Sequence, residues 1–261
     1  MYILKKFGGN MKKTIHLVMG TRPEAIKLAP LYHKLKLQNE MDVKIVSTGQ
    51  HSNLLSSVFQ SFELSPTFSL EAHKTSTTLS SLSSVLLERL ERVFRLDPPS
   101  LVIGHGDTSS AFAAALSAFY LNIPFVHIEA GLRSKNLCSP FPEEFHRQTI
   151  SKLASLHFVT NPHAKQNLLH EGVLDSRIIQ SGNTIEDSLN FALNKINQNP
   201  NAFTPPFLLQ ALQKKQDIIA LTLHRRELSP EKRRALFSEF SKLAQEFPQK
   251  QFVACLHPNP K

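Results

Sequence analysis

The sequence predicts an α/β fold built around a parallel β-sheet. In its clearest stretch, residues 101–134, a short apolar run is followed by an Ala-rich segment of helical period and then by a second apolar run, residues 125–128. This is a βαβ unit, and two strands joined by such a crossover lie parallel in a sheet. Further apolar runs, each followed by a helical segment, occur along the rest of the chain.

Two acidic residues stand directly at the ends of the strands of this βαβ unit. Asp107 follows the first strand and Glu129 ends the second, whereas residues 108–128 contain no Asp, Glu, Lys or Arg. Open α/β folds bind ligands at the carboxyl ends of their strands, so we expect both acids to lie in a binding site. The alternatives are that Asp107 caps the following helix and that Glu129 pairs with Arg133.

The first predicted strand, residues 14–19, leads through a turn at Gly20 into a helix. Backbone N–H groups at such a turn favour an anion, and Arg22 and Lys27 add positive charge, which indicates a phosphate-type site. The alternative is an ordinary βα turn with solvated basic residues. Pro30 is expected to kink the helix or to start a new segment.

The remaining elements follow from apolar runs and helical periods that Gly, Pro and Asn separate. The other predicted strands occupy residues 43–47, 67–70, 157–160, 178–181, 217–223 and 251–256. The other predicted helices occupy residues 52–60, 75–94, 109–120, 143–155, 162–170, 185–195 and 230–247. Glu143 and Arg147 are four residues apart on one of these helices and share a face, as in an ion pair that stabilises a helix.

Composition limits the class of protein. Hydrophobic residues make up 41% of the chain, enough for a sizeable core, and the two cysteines, Cys138 and Cys255, form no CxxC pair. This favours a reducing cytoplasm and argues against a disulfide scaffold or a zinc site. The net charge of +9 fits a nucleic-acid binder or an enzyme for a polyphosphate-like anion, and the scattered basic residues favour the enzyme. Neither a signal peptide nor a membrane span is predicted.

An Asn- and Pro-rich stretch, residues 197–206, is expected to be a linker. The chain after it supplies about two strands and one helix, whereas an α/β domain usually needs roughly 100–200 residues. We therefore predict a complete first domain in residues 1–185, followed in residues 186–261 by the linker and an incomplete second domain.

Seven sequence segments occur in a fixed order along the chain. They are GTRPEAIKLAPL (20–31), TGQH (48–51), HGDTSSAFAAALSAFYLNIPFVHIEAGLRS (105–134), PFPEEFHRQ (140–148), GNTIEDSL (182–189), HRRE (224–227) and HPNP (257–260). This ordered set resembles the non-hydrolysing UDP-N-acetylglucosamine 2-epimerases. Each segment alone is a modest signal, but the ordered set is specific.

The resemblance implies a GT-B-like architecture, in which two Rossmann-like domains face a cleft, and the interconversion of UDP-GlcNAc and UDP-ManNAc. In such enzymes UDP is eliminated to leave a 2-acetamidoglucal and is added again after C2 has inverted, without a metal or any other cofactor. This chemistry needs a base, an acid and cations for the departing diphosphate. The resemblance also implies a cytoplasmic enzyme of cell-surface polysaccharide biosynthesis, a homodimer when the full-length fold is complete, with no nucleic-acid or membrane partner.

The same resemblance assigns roles to individual residues. Catalytic positions of the family are matched by Asp107, Glu129, Glu143 and His224. Substrate-binding positions are matched by Arg22, Lys27, Arg133, Arg147, Asn183 and His257. Gln50 and His51 match a region that bacterial members use for a second, regulatory UDP-GlcNAc, although a lone histidine in such a loop is more often a surface residue. Which acid takes the proton from C2 stays open.

Departures from the family pattern leave two hypotheses. His146 stands where the family usually has Asn, Leu223 stands where a Gly commonly precedes HRRE, and the later Ser-Gly-Gly and TERPE-like segments do not occur. The first hypothesis is an epimerase, as a shortened chain or as one half of a split enzyme. The second is a catalytically inactive remnant with weak nucleotide-sugar binding. Since a half-cleft open to water would stabilise a departing diphosphate poorly, we expect little epimerisation from the isolated chain.

Overall fold

A parallel β-sheet forms the centre of the first of two compact units, Met1–Phe191. The computed structural model describes residues 13–49, 52–222 and 229–255. The strands of the sheet are β1 (Lys13–Met19), β2 (Met41–Ser47), β3 (Phe68–Ser69), β4 (Leu101–His105), β5 (Phe125–Ala130), β6 (Leu156–Val159) and β7 (Ile178–Gln180). They lie in the order β3-β2-β1-β4-β5-β6-β7, and every neighbouring pair is parallel. The predicted α/β class with a parallel sheet is confirmed.

Helices cover both faces of this sheet. They are α1 (Arg22–Lys36), α2 (Ser52–Ser61), α3 (Leu79–Leu96), α4 (Ser109–Tyr120), α5 (Glu143–Leu153) and α6 (Pro162–His170), and α7 (Ile185–Gln198) follows the last strand and contacts α1. Val18 and Val102 pack with α3, α4 and α5 on one face, whereas Leu17 and Ile103 pack with α1 and α2 on the other. Alternate strand residues point to opposite faces, so the central strands are buried on both sides, as is usual in parallel sheets.

The helix α1 runs as one segment through Pro30, so the predicted start of a new segment at this proline is wrong. A proline lacks the N–H group that would bond to the carbonyl four residues earlier, which here belongs to Ile26. The hydroxyl of Ser188 donates to the Ile26 carbonyl at 2.6 Å and so replaces the missing bond. A contact from a distant part of the chain therefore makes the proline tolerable inside the helix.

Most helix boundaries agree with the predicted ones, and α3 shows why one does not. This helix begins at Leu79 and not at residue 75, because the Thr78 hydroxyl accepts a hydrogen bond from the Ser81 N–H at 3.1 Å and caps the helix there. Residues just before it, Ala72–Lys74, form a separate 3-10 helix. The Ser-rich start of the segment therefore contains a capping site that the helical period alone did not reveal.

The second compact unit, Ala192–Lys261, contains a two-stranded parallel sheet. Its elements are α8 (Pro200–Phe203), α9 (Pro206–Gln213), β8 (Ile218–Thr222), α10 (Pro230–Glu246) and β9 (Gln251–Cys255). The stretch predicted as a linker is largely helical, since α7 extends into it and α8 lies within it, and α9 was not predicted. Of the residues that the structure describes in this unit, Ala211 is the only buried one.

Candidate active site

Acidic and basic side chains meet at the carboxyl edge of the three central strands, β1, β4 and β5. The helix α1 brings Lys27, β4 ends in His105, the following turn brings Asp107, β5 brings Glu129 and α5 brings Arg147. We call these five residues the edge cluster. Both acids thus lie at one edge of the sheet, as the βαβ pattern predicts.

Glu129 lies at an irregular end of strand β5. Its φ is 61°, in the left-handed region, and the pairing of β5 with β6 shifts register between Ile128 and Ala130. Such an irregularity re-aims a side chain. The carboxylate Oε2 lies 2.5 Å from Lys27 Nζ and 3.7 Å from His105 Nε2. A non-glycine residue in this conformation marks local strain, which proteins concentrate at functional sites.

Two opposing influences act on the ionisation of Glu129. Burial favours the neutral acid, but the neighbouring His105 and Lys27 favour the carboxylate more strongly and lower the pKa of Glu129 to about 2. Glu129 is therefore ionised throughout the physiological range. His105 Nε2 is itself buried and has no hydrogen-bond partner among the described residues. The alternative, a pair of Glu129 with Arg133, is not found, because Lys27 pairs with Glu129 and Glu171 pairs with Arg133.

Asp107 has the opposite ionisation behaviour. Its carboxylate Oδ2 lies 2.5 Å from Arg147 Nη2. Burial raises the pKa of Asp107 and outweighs the lowering effect of Arg147, and the charges of Glu143 and Glu129 raise it further. The alternative of a helix-stabilising pair between Arg147 and Glu143 is not found; Arg147 instead approaches Asp107 and, at 3.6 Å, Glu144. The cap of α4 is Thr108, so Asp107 is free of that structural role.

A third carboxylate, Glu24, occupies the turn that was predicted as a phosphate-type site. Its Oε2 accepts hydrogen bonds from the Gly20 N–H at 2.9 Å and the Thr21 N–H at 2.6 Å. Its Oε1 accepts from the Thr108 hydroxyl at 2.6 Å. The side chain is buried, and burial raises its pKa against these hydrogen bonds. The anion at these two N–H groups is therefore the protein's own glutamate, and they are not available to a ligand phosphate.

The turn after β1 packs directly against the start of α4. A Cβ atom on Gly20 would lie 1.9 Å from Ser110 Oγ and 2.4 Å from Thr48 Oγ1, so only glycine fits. The two hydroxyl groups themselves are 2.7 Å apart and form a hydrogen bond. Together with Glu24, this contact fixes the turn that carries Arg22 against the turn that carries Asp107.

A fourth carboxylate, Glu144, fixes the loop after β5. It is fully buried and accepts from the Ser134 N–H at 2.9 Å, the Lys135 N–H at 3.2 Å and Gln148 Nε2 at 2.8 Å. Burial works against its ionisation, but these bonds lower its pKa overall. Glu144 thus joins α5, which supplies Arg147, to the loop that follows Glu129.

Two of the predicted binding residues are engaged by the protein itself. The Arg133 guanidinium, almost fully buried, bonds to both carboxylate oxygens of Glu171 at 2.6 and 2.8 Å, to Ser151 Oγ at 2.7 Å and to the Leu132 carbonyl. The Asn183 side chain accepts from the Ile185 N–H at 3.1 Å at the start of α7. The structure does not bring either residue into the edge cluster.

The other predicted residues are half-buried or lie outside the described part. Arg22 and Glu143 are half-buried, and within the described ranges no ion pair of Arg22 is found. Outside those ranges lie Gln50, His51, His224 and His257.

Sequence reasoning missed three residues that organise this edge: Glu24, His105 and Glu144. The spacing of Glu24, three residues after Thr21, is a capping signal that was available in the sequence. Among the residues described, no group of three His, Cys, Asp or Glu side chains could hold a metal ion. In the same part of the chain, every helix is too short or too polar to cross a bilayer.

Comparison with known proteins gives a consistent match. Residues 33–261 match the family model described as UDP-N-acetylglucosamine 2-epimerase. The UDP-N-acetylglucosamine 2-epimerase of Salmonella borreze is 41% identical over 245 residues, which cover 94% of this chain and 65% of that protein. That of Bacillus subtilis strain 168 is 40% identical over 251 residues, 96% of this chain and 64% of the relative. The chain thus spans slightly less than two thirds of these curated relatives.

Solved structures lead to the same group of proteins. The UDP-GlcNAc 2-epimerase from Neisseria meningitidis bound to UDP-GlcNAc superposes with a TM-score of 0.84 at 36% identity, over 95% of this chain and 67% of that one. The Methanocaldococcus jannaschii enzyme in complex with UDP-GlcNAc and UDP gives a TM-score of 0.74 at 31% identity, over 94% of this chain and 66% of that one.

Proposed function

The chain belongs to the UDP-N-acetylglucosamine 2-epimerase family, and from this membership we propose that it converts UDP-GlcNAc to UDP-ManNAc. The observation that carries the proposal is the opposite displacement of two pKa values at one sheet edge, upward for Asp107 and downward for Glu129. Carboxyl groups whose environments separate their pKa values are suited to different acid–base roles. Inversion at C2 needs two proton-transfer groups, because a proton leaves one face of the sugar and another arrives on the opposite face; in this proposal they are Asp107 and Glu143, while Glu129 stays ionised.

We assign proton transfer at C2 to Asp107. A raised pKa makes the carboxyl group of Asp107 a better proton acceptor than an ordinary aspartate. Arg147, at 2.5 Å, stabilises the ionised form once the proton has left. The charge of Glu143 raises the pKa of Asp107. In this proposal Glu143 is the second catalytic acid, next to Asp107.

We assign an electrostatic role to Glu129. Because its pKa is about 2, it stays negative while Asp107 changes its protonation state. A fixed negative charge stabilises the positive charge that develops on a sugar ring when a leaving group departs from C1. Lys27, 2.5 Å away, keeps this carboxylate in place, which supports a positioning role for Lys27 beside the predicted substrate contact.

The diphosphate contact in this proposal is Arg22. It begins α1, directly after the Gly20 turn at the carboxyl edge of the sheet, and is only half-buried. Arg133 and Asn183 are assigned to the fold, since Glu171 and the start of α7 engage them. His224 keeps the catalytic role, and His257, Gln50 and His51 keep the binding roles, as predictions from the family resemblance.

The proposal is tested by following deuterium at C2. The 261-residue chain is incubated with UDP-GlcNAc in D2O, and proton NMR records the loss of the C2 proton signal and the appearance of UDP-ManNAc. Deuterium accumulates over hours, so slow turnover is detected as well. We expect slow exchange in the wild-type chain, in keeping with the little epimerisation that the sequence predicts, and a further loss of about 100-fold or more in Asp107→Asn, in line with removal of an acid–base group.

Asp187→Asn is the matched control, because this aspartate is exposed in the first turn of α7. The control should exchange at the wild-type rate. Exchange in Asp107→Asn at the control rate would refute the assignment of Asp107. Binding of UDP-GlcNAc without any exchange in the wild-type chain would refute the proposed epimerase activity and favour the binding-only hypothesis.

The cytoplasm is the proposed location. Both cysteines, Cys138 and Cys255, are exposed and unpaired in the structure. Free exposed thiols persist in reducing compartments, which supports this part of the proposal.

A further inference from the structure

The turn between β4 and α4 is held at three consecutive residues. His127 Nε2 lies 2.7 Å from the Gly106 carbonyl oxygen. His146 Nδ1 lies 2.9 Å from the carbonyl oxygen of Asp107, and the Thr108 hydroxyl donates to Glu24. Asp107 and the residues directly before and after it are therefore each hydrogen-bonded to a buried side chain.

Packing alone does not hold this turn. Gly106 has φ +68°, and a Cβ atom built on it would meet nothing within 4 Å. A glycine with open space around it gives the backbone freedom to change conformation. Hydrogen bonds to the two carbonyl groups therefore restrain the direction of the Asp107 side chain, together with the Gly106 N–H bond to the Ile128 carbonyl and the ion pair of Asp107 with Arg147.

His127 is suited to this single task. It lies on β5 and is fully buried, and its other ring nitrogen, Nδ1, has no partner in the part of the chain described. Burial lowers the pKa of His127 to about 3. The ring is therefore neutral near pH 7 and donates from Nε2–H to the Gly106 carbonyl. An imidazole this deeply buried is costly unless it is hydrogen-bonded, and this is the one bond that it makes among the described residues.

His146 reaches the same turn from the adjacent helix α5. Its ring stacks on Phe112 of α4, with ring centroids 4.8 Å apart and planes 9° from parallel. Burial lowers the pKa of His146, although the Asp107 carbonyl and the nearby acids oppose this. The stacking fixes the ring plane so that Nδ1–H points at the Asp107 carbonyl.

We propose that His127 and His146 are positioning residues, which aim the Asp107 carboxylate by holding the carbonyl groups of Gly106 and Asp107. The inference rests on the proposed function, because it concerns the acid that transfers the proton. Misplacing a reacting group by about 1 Å costs roughly 100-fold in rate, so loss of either restraint should reduce proton transfer more than substrate binding.

The test uses the fact that the two histidines bond through different ring nitrogens, Nε2 in His127 and Nδ1 in His146. A glutamine side chain can place its N–H₂ where histidine carries Nε2, whereas asparagine can place it where histidine carries Nδ1. We therefore expect His127→Gln and His146→Asn to keep C2 exchange within about threefold of wild type. The crossed variants, His127→Asn and His146→Gln, and both leucine variants should lose about 10- to 100-fold, as is typical for residues that orient a reacting group.

Calorimetry of UDP-GlcNAc binding accompanies each rate. The expected result is a dissociation constant that stays within about threefold in all six variants, since Asp107 is misdirected and not removed. Equal rescue by Asn and Gln at both positions would overturn the inference, because a role in general packing does not distinguish the two amides. Leucine variants that exchange at the wild-type rate would overturn it as well.

A second measurement separates this inference from the proposed function. If the wild-type chain shows no exchange, the proposed function fails, and a carbon-13 NMR titration of the Asp107 carboxyl group then tests the positioning role alone. The matched variants, His127→Gln and His146→Asn, should leave the titration curve unchanged, and the crossed variants should shift it. Coincident curves for matched and crossed variants would refute the positioning role.

Discussion

Replacing Glu129 by glutamine is expected to destabilise the first unit strongly at neutral pH and weakly in acid. The pKa of Glu129 falls from the ordinary 4.5 to about 2, and its side chain is only 14% exposed. A difference of roughly 2.5 pKa units corresponds to about 3 kcal/mol of stability. Since the folded pKa lies below the unfolded one, this stability is fully present above pH 4.5 and is lost as the pH falls towards 2. At pH 3 about 1 kcal/mol should remain.

The assay is urea unfolding at pH 7 and at pH 3, followed by tyrosine fluorescence. The chain has three tyrosines and no tryptophan, and the two in the described part of the chain, Tyr32 and Tyr120, lie in the first unit, so their signal reports that unit. Glu91→Gln is the matched control, because Glu91 pairs with Arg95 at 2.8 Å on the exposed face of α3 and such pairs contribute about 0.5 kcal/mol at most. A difference between wild type and Glu129→Gln that is equally large at both pH values would refute the reasoning.

Three further substitutions test individual contacts. Gly20→Ala should lower the free energy of unfolding by about 1–3 kcal/mol through overpacking against the start of α4; an unchanged urea midpoint would contradict the close approach. Ser188→Ala should cost about 1–3 kcal/mol, because the Ile26 carbonyl loses its donor; loss of less than a few tenths would mean that water replaces the hydroxyl. Arg147→Met should raise the pKa of Asp107 further, measured by carbon-13 NMR, and a fall would contradict the ion pair.

The parts of the fold that local signals specify could be predicted from the sequence. The helices α4 and α6 begin and end where predicted, because Thr108 and Asn161 are good caps and their side chains accept from N–H groups three residues later. The edge position of Asp107 and Glu129 also followed, since it depends only on the βαβ pattern.

The ion pairs of the site could not be predicted, because they depend on strand order and not on sequence spacing. Lys27 and Glu129 are 102 residues apart and meet because β1 and β5 both flank β4. Arg133 is closer to Glu129 in the sequence than Lys27 is, but its guanidinium pairs with Glu171 instead. Likewise, the spacing of four between Arg147 and Glu143 suggested a helix pair, whereas tertiary packing directs the guanidinium elsewhere.

The two ion pairs at this edge leave it without an excess of negative charge. Lys27 is neutralised by Glu129 and Arg147 by Asp107, so the two pairs together carry no net charge when both acids are ionised. Arg22 begins α1 at the same edge and adds a further positive charge, which favours an anion. Protonation of Asp107 would free the charge of Arg147 as well. In the proposed function, the acid with the raised pKa thereby links the proton that it carries to the positive charge that a departing diphosphate requires.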